Sequence, residues 1–141
     1  MRSSGALLRF SALAAACAFG SVVACVRADE PSDQEGESDG ELTVRWSLEG
    51  TKDPARCEQL GAAAVDLGIY DASHELDSRL VQPCVTFEVT VELAPGEYSA
   101  EATLVDEDGS AISATLTIED LEVGADEATE TSIDFSADAM L

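Results

Sequence analysis

The sequence predicts an all-β fold, a single antiparallel β-sandwich of about seven strands. Apolar and polar residues alternate in short runs from Leu42 onward, which is the pattern of half-buried strands. Turn-forming sequences separate these runs, most clearly Ala94-Pro95-Gly96 and Asp106-Glu107-Asp108-Gly109. The stretch from Leu42 to Leu141 has about 100 residues, the usual size of one sandwich domain.

Each predicted strand has one apolar face. In the first strand, Leu42, Val44, Trp46 and Leu48 alternate with polar residues, and the fourth shows the same alternation over 85–93. Further strands are predicted at 65–69, 79–82, 98–104, 112–118 and 133–135, with a short helical segment possible over 58–65. A single sheet would leave these apolar faces in water, so we expect two sheets packed face to face.

The turn before the fifth strand carries a recognisable motif. The segment Leu93-Ala94-Pro95-Gly96-Glu97-Tyr98 resembles the L-x-P-G-x-Y signature of fibronectin type III, transthyretin-like and related immunoglobulin-like sandwiches. The resemblance implies an immunoglobulin-like sandwich in which the Tyr98 hydroxyl bonds to upstream backbone, as in a tyrosine corner. It implies no activity.

The N-terminal segment resembles an export signal. Arg2 and Arg9 precede an apolar run over 10–25, which is shorter and less apolar than a membrane span requires. Its end, Val22-Val23-Ala24-Cys25, resembles the lipobox of bacterial lipoproteins. The resemblance implies a signal peptide over 1–24 and a lipid on Cys25, which would attach the exported protein to the membrane of the cell envelope. The alternative is cleavage after Ala28 and secretion of a soluble protein.

The chain after Cys25 predicts a tether followed by one domain. Residues 25–41 are rich in carboxylates, Pro, Gly and Ser and have little apolar content. Such a segment cannot offset its chain entropy by burial, so we expect it to be disordered and extended. The β-sandwich domain is predicted over 42–141.

The charge of the chain excludes one class of partner. The formal net charge is −22, and two of the seven cationic residues, Arg2 and Arg9, lie in the predicted signal peptide while all 29 Asp and Glu follow it. The mature chain therefore carries five cations against 29 carboxylates, a net charge of −24. This charge repels phosphates, which excludes nucleic-acid binding. Solubility in salty surroundings, cation binding and a basic partner remain open.

The cysteines predict one disulfide. Cys17 leaves with the signal peptide, and Cys25 is either lipidated or removed. Cys57 and Cys84 remain as an even pair in an oxidising compartment, and we expect them to be bonded rather than free.

The candidate catalytic and metal sites are poor. His74, the one histidine, has Ser73, Ser78, Asp71 and Asp77 nearby, but neighbours in a loop rarely hold triad geometry and no G-x-S-x-G is present. Asp106 and Asp108 are weak calcium candidates, and a hairpin turn with Gly109 at positive φ explains the same residues. We therefore predict no enzyme activity, no metal and no cofactor.

The function predicted from these observations is a non-catalytic binding or structural module tethered to the envelope, with an unknown protein or surface ligand as its partner. One alternative is an accessory subunit of an envelope assembly that uses strand-edge pairing. The other alternative is a hydrolase.

Overall fold

A computed structural model describes residues 38–141 of the 141-residue chain. The predicted signal peptide, Cys25 and most of the predicted tether lie outside the described residues. The described part forms β1 (Gly40–Leu48), α1 (Pro54–Leu60), β2 (Ala64–Asp71), β3 (Leu76–Pro83), β4 (Glu88–Leu93), β5 (Gly96–Val105), β6 (Leu116–Val123) and β7 (Ala128–Phe135). Two single turns of 3-10 helix span Cys84–Thr86 and Ala137–Ala139.

The seven strands form two sheets, with strand orders β4-β1-β7 and β3-β2-β5-β6. Buried residues of both sheets belong to one hydrophobic core, so the predicted single β-sandwich is confirmed. One pair departs from the predicted antiparallel pattern, because β1 and β7 run parallel from Glu41 opposite Ala128 to Leu48 opposite Phe135. These two strands are far apart in sequence, so no hairpin constrains their relative direction.

The core follows the alternation of the strands. Leu42, Val44, Trp46 and Leu48 of β1 are all buried, as predicted. They pack in the same cluster as the inward residues of the four-stranded sheet, among them Val65, Leu67, Ile69, Ala100, Ala102 and Leu104. The Trp46 indole Nε1 donates a hydrogen bond of 2.9 Å to the carbonyl of Cys84, which satisfies the one polar atom of this buried side chain.

The fourth strand begins later than its sequence pattern predicts. The alternation over 85–93 placed Val85 in the core, but the strand starts at Glu88 and Val85 is exposed. Cys84–Thr86 form a turn of 3-10 helix, and Phe87 adopts a left-handed φ of 58°. This change of backbone direction breaks the two-residue period, so Phe87 and Val89 are buried while Val85 points to solvent.

Other element boundaries also differ from the prediction. The helix spans Pro54–Leu60 instead of 58–65, because Asp53 caps its start and Gly61, at φ 70°, ends it. The sixth strand spans Leu116–Val123 instead of 112–118.

The first strand begins inside the predicted tether. It starts at Gly40, two residues before Leu42. A Cβ at position 40 would lie 2.2 Å from the carbonyl oxygen of Gly124, so this position requires glycine.

Within residues 38–141, no helix has both the length and the apolar composition needed to cross a bilayer.

Candidate functional site

The outer face of the three-stranded sheet is covered by polar side chains that bond to one another. Arg45 on the central strand donates from Nε to Glu88 Oε2 at 3.2 Å, and its two terminal nitrogens reach both carboxylate oxygens of Glu130 at 2.9 and 3.0 Å. The Thr43 and Thr90 hydroxyls are 2.7 Å apart. These groups are exposed and partnered, which is the arrangement of a solvated sheet face.

The outer face of the four-stranded sheet is different, because it carries an open groove and an aromatic ring. Alternation along β2 turns Asp66, Gly68 and Tyr70 outward, while Val65, Leu67 and Ile69 enter the core. The groove is lined by residues of β2, β3 and β5 and of the segment before β6, namely Asp66, Gly68, Tyr70, Leu76, Arg79, Glu101, Thr103 and Thr115.

The Tyr70 ring lies along the outside of β2, over Gly68. A Cβ at position 68 would come within 3.1 to 3.4 Å of three atoms of this ring, so glycine leaves the space that the ring occupies. Hydrogen bonding to Glu101, on the neighbouring strand β5, is the main cause that raises the pKa of Tyr70. The ring therefore lies over Gly68, and Glu101 lines the same groove.

An ion pair forms the other side of the groove. Arg79 lies directly opposite Gly68 in the β2–β3 register and reaches along the strand to Asp66. Its Nε lies 2.9 Å from Asp66 Oδ1 and its Nη2 lies 2.5 Å from Oδ2, a bidentate geometry. The hydrogen bond from Arg79 lowers the pKa of the Asp66 carboxyl, so the pair stays charged at neutral pH.

Exposed apolar side chains collect beside this groove. Within residues 38–141, the large apolar side chains that are exposed are Leu76 at 52%, Val81 at 60%, Val85 at 49% and Leu141 at 84%. Two of the four lie on β3, and a third, Val85, lies in the 3-10 turn that follows it. Leu76 lies opposite Tyr70 and Val81 lies opposite Asp66, so both share the outer face of the sheet with the groove. Such clustering is typical of an interaction surface.

The groove continues at one end into an acidic depression. Its lining includes Asp71, Glu97, Glu101, Glu119 and Asp120, together with His74. Asp120 has a left-handed φ of 58° in a bulge of β6, where two residues face Ser99 of β5. Among the described residues, no group of three or more His, Cys, Asp or Glu side chains is arranged to hold a metal ion.

The structure does not assemble the triad considered from the sequence. Asp71 Oδ1 accepts hydrogen bonds from the backbone N–H groups of Ser73 and Glu75, so this oxygen shapes the β2–β3 turn. The Ser78 hydroxyl donates to Asp77. His74 is in the turn at φ 60°, and no hydrogen bond within the described range joins its ring to either serine.

The calcium candidates Asp106 and Asp108 lie in a tight turn. Asp106 Oδ1 accepts from the backbone N–H groups of Asp108 and Ser110, both at 2.9 Å, and Gly109 has φ 78°. This is the turn geometry that the sequence predicted as the alternative to a cation site.

The predicted bond between Cys57 and Cys84 is present, and both residues are buried. Tyr70, Arg79 and Asp66 were not predicted as site residues from the sequence. The one signal that could have found them is Gly68, a glycine in the middle of a strand, which often marks close approach of another group.

No protein-family model matches the chain, and no curated protein is similar to it in sequence. Several solved structures are similar to it in fold, among them the following three. The Bacillus anthracis TIE protein is 15% identical with a TM-score of 0.45, over 70% of this chain and 17% of that protein. A Bacteroides thetaiotaomicron structure titled "putative polysaccharide binding proteins" is 10% identical with a TM-score of 0.42, over 66% of this chain and 46% of that one. A "putative adhesin" from Bacteroides ovatus is 8% identical with a TM-score of 0.42, over 68% and 44%. The chain spans less than half the length of each.

Proposed function

We propose that this chain is a non-catalytic binding module, exported and held at the cell envelope by a lipid on Cys25. It engages its partner through the outer face of the four-stranded sheet. The observation that carries the proposal is the groove around Tyr70, with exposed Leu76 and Val81 beside it. The lipobox-like Val22-Val23-Ala24-Cys25 supports the anchor.

The chemistry of the groove suits binding. A tyrosine ring offers a large contact area at a low cost in conformational entropy, since only two side-chain torsions need to be fixed. Asp66 and Arg79 offer acceptors and donors in a bidentate pair, and the Thr103 hydroxyl 2.8 Å from that of Thr115 adds further polar groups. Together these groups can orient a ligand that stacks on the ring.

The same groups are poorly placed for catalysis. Arg79 holds the pKa of Asp66 below its usual value, which makes Asp66 a weaker base. His74 lies in the acidic depression and does not line the groove at Tyr70. The nearby Asp71 carboxylate accepts hydrogen bonds from backbone N–H groups, so it does not orient a nucleophile. A binding role is therefore favoured over the hydrolase alternative.

Retention on isolated envelopes of the native cell tests the proposal. The full chain, labelled and extracted in detergent, should bind saturably, and Tyr70→Ala should weaken binding about tenfold because a buried aromatic contact is lost. Arg45→Ala, on the outer face of the three-stranded sheet, is the matched control and should bind like the unmodified protein. Equal binding by Tyr70→Ala and the unmodified protein would contradict the assignment of this face.

The anchor is checked in the same preparation. Intact mass should show a diacylated chain that begins at Cys25, and Cys25→Ser should leave the membrane fraction. A soluble mature chain that begins at Asp29 would show that the protein is secreted without lipid.

A further inference from the structure

We infer that the free edge of β3 accepts an extended, basic segment of another protein as an added strand. The inference rests on the proposed function, because it places the partner on the same sheet as the Tyr70 groove. Strand addition supplies backbone hydrogen bonds along the edge, and alternate side chains of the added strand then contact the sheet face.

β6 and β7, each an edge strand of its own sheet, lie next to each other and are joined by a hydrogen bond. The Thr129 hydroxyl at the start of β7 donates a 2.8 Å hydrogen bond to the carbonyl of Glu122 in β6. β6 is also interrupted by the bulge at Asp120, which disrupts a regular ladder. An incoming strand finds no continuous straight edge on this side of the sandwich.

The edge strand β4 carries charges on its outer face. Glu88, Thr90 and Glu92 are exposed there, and Glu88 is paired with Arg45. Charged side chains on an edge strand are a common protection against pairing with another chain, because an added strand would have to desolvate them.

β3 also carries charged residues, Asp77 and Arg79, but its outer face is more apolar than that of β4. It spans Leu76–Pro83 and, within the described residues, pairs with β2 alone. Leu76 and Val81 are more than half exposed on its outer face, and its cation Arg79 is already paired with Asp66. An added strand would extend the sheet and cover these apolar side chains with its own.

The charge of the chain around β3 indicates that the partner segment is positively charged. At β3 and the turn before it, the carboxylates of Glu75 and Asp77 are exposed and that of Asp71 is half-buried, and the whole chain has a formal net charge of −22. A second copy of the chain would bring the same negative charge to the contact and be repelled. A segment that alternates apolar residues with Lys or Arg complements both the apolar face and the charge.

A nine-residue synthetic peptide of alternating valine and lysine serves as the probe, with the full chain in detergent at physiological ionic strength. The control peptide has the same sequence with alternate backbone nitrogens methylated, which keeps its charge but blocks the ladder. Val81→Glu removes an apolar contact and adds a negative charge to the edge. Leu141→Glu makes the same change at an exposed position outside β3.

Fluorescence anisotropy should show that Val81→Glu weakens binding of the peptide about tenfold despite its added negative charge. Leu141→Glu should bind at least as tightly as the unmodified chain, and the methylated peptide should lose about tenfold in affinity. Leu76→Glu is a second variant in case Val81→Glu misfolds. Amide hydrogen exchange should slow in β3 on binding and stay unchanged in β4.

Three results would overturn the inference. If Val81→Glu and Leu76→Glu bind the peptide as tightly as the unmodified chain, the attraction is general electrostatics. If the unmodified chain is a dimer that Val81→Glu dissociates, the occupant of the edge is a second copy. If the peptide fails while Tyr70→Ala still reduces retention on envelopes, the strand inference fails and the proposed function stands.

Discussion

At the scale of single residues, the two tyrosines have different roles. Tyr98 is buried, and its hydroxyl donates a 2.7 Å hydrogen bond to the carbonyl of Ala94, which is the tyrosine corner that the L-x-P-G-x-Y resemblance implied. Tyr70 lies on the outer face and lines the groove. The first role could be predicted because the motif is local. The second could not, because it depends on how β2 pairs with β3 and β5.

Tyr98→Phe should lower the free energy of unfolding by about 1 kcal/mol, because the Ala94 carbonyl loses its donor. The change Tyr70→Phe, at a half-buried position on the outer face of the sheet, is the control and should stay within about 0.5 kcal/mol. Urea denaturation at pH 7 measures both. Equal stability of Tyr98→Phe and the unmodified protein would mean that the corner does not stabilise the fold.

The same residue makes stability depend on alkaline pH. Burial raises the pKa of Tyr98 above its usual 10.0, and the negative charges of Asp77, Asp71 and Asp39 add to this effect. Because the folded pKa exceeds the unfolded one, this stabilisation is complete below pH 10 and is lost as pH rises through the folded pKa. Repeating the denaturation at pH 9 and 11 should therefore show a smaller loss for Tyr98→Phe than for the unmodified protein.

At the scale of elements, the disulfide holds together segments that carry little structure of their own. Cys57 lies in the seven-residue helix α1 and Cys84 opens a single turn of 3-10 helix. Counting cysteines was enough to predict this pair. The late start of β4 was not predictable from the sequence, because Val85, Phe87 and Val89 continue the strand pattern and nothing local signals the left-handed φ at Phe87.

Replacing both Cys57 and Cys84 with Ala should lower the free energy of unfolding by roughly 3 to 4 kcal/mol, since the bond closes a loop of about 28 residues in the unfolded chain. Urea denaturation under oxidising conditions measures this loss. The unmodified protein, denatured in the presence of reductant, is the control and should lose a similar amount. An unchanged midpoint in the double variant would show that the bond adds no stability.

At the scale of the whole molecule, the alternating pattern was sufficient to predict two packed sheets and the buried residues of β1. It could not give the partners of the strands, because pairing such as that of β1 with β7 joins residues that lie far apart in the chain. The groove follows from pairing, so it was also beyond prediction. The formal net charge of −22, by contrast, is known from the sequence alone.

Sodium chloride should raise the melting temperature, because salt screens the repulsion among carboxylates. Millimolar calcium at matched ionic strength should add nothing, since the turn at Asp106 is held by backbone hydrogen bonds to its own carboxylate. Thermal melts of the unmodified protein and Asp108→Ala compare the two cations. A rise specific to calcium that Asp108→Ala abolishes would instead identify a binding site in this loop.

The position of β1 decides how the domain bears mechanical load. A pull on the chain before Gly40 enters the domain along the axis of β1, which is bonded to β4 on one side and to β7 on the other. Ladder hydrogen bonds lie across the strand, so tension along the strand shears many of them together instead of breaking them one after another. A domain attached through its N-terminal end is therefore loaded through a central strand. It should withstand a pulling force that would unzip the hydrogen bonds of an edge strand one at a time.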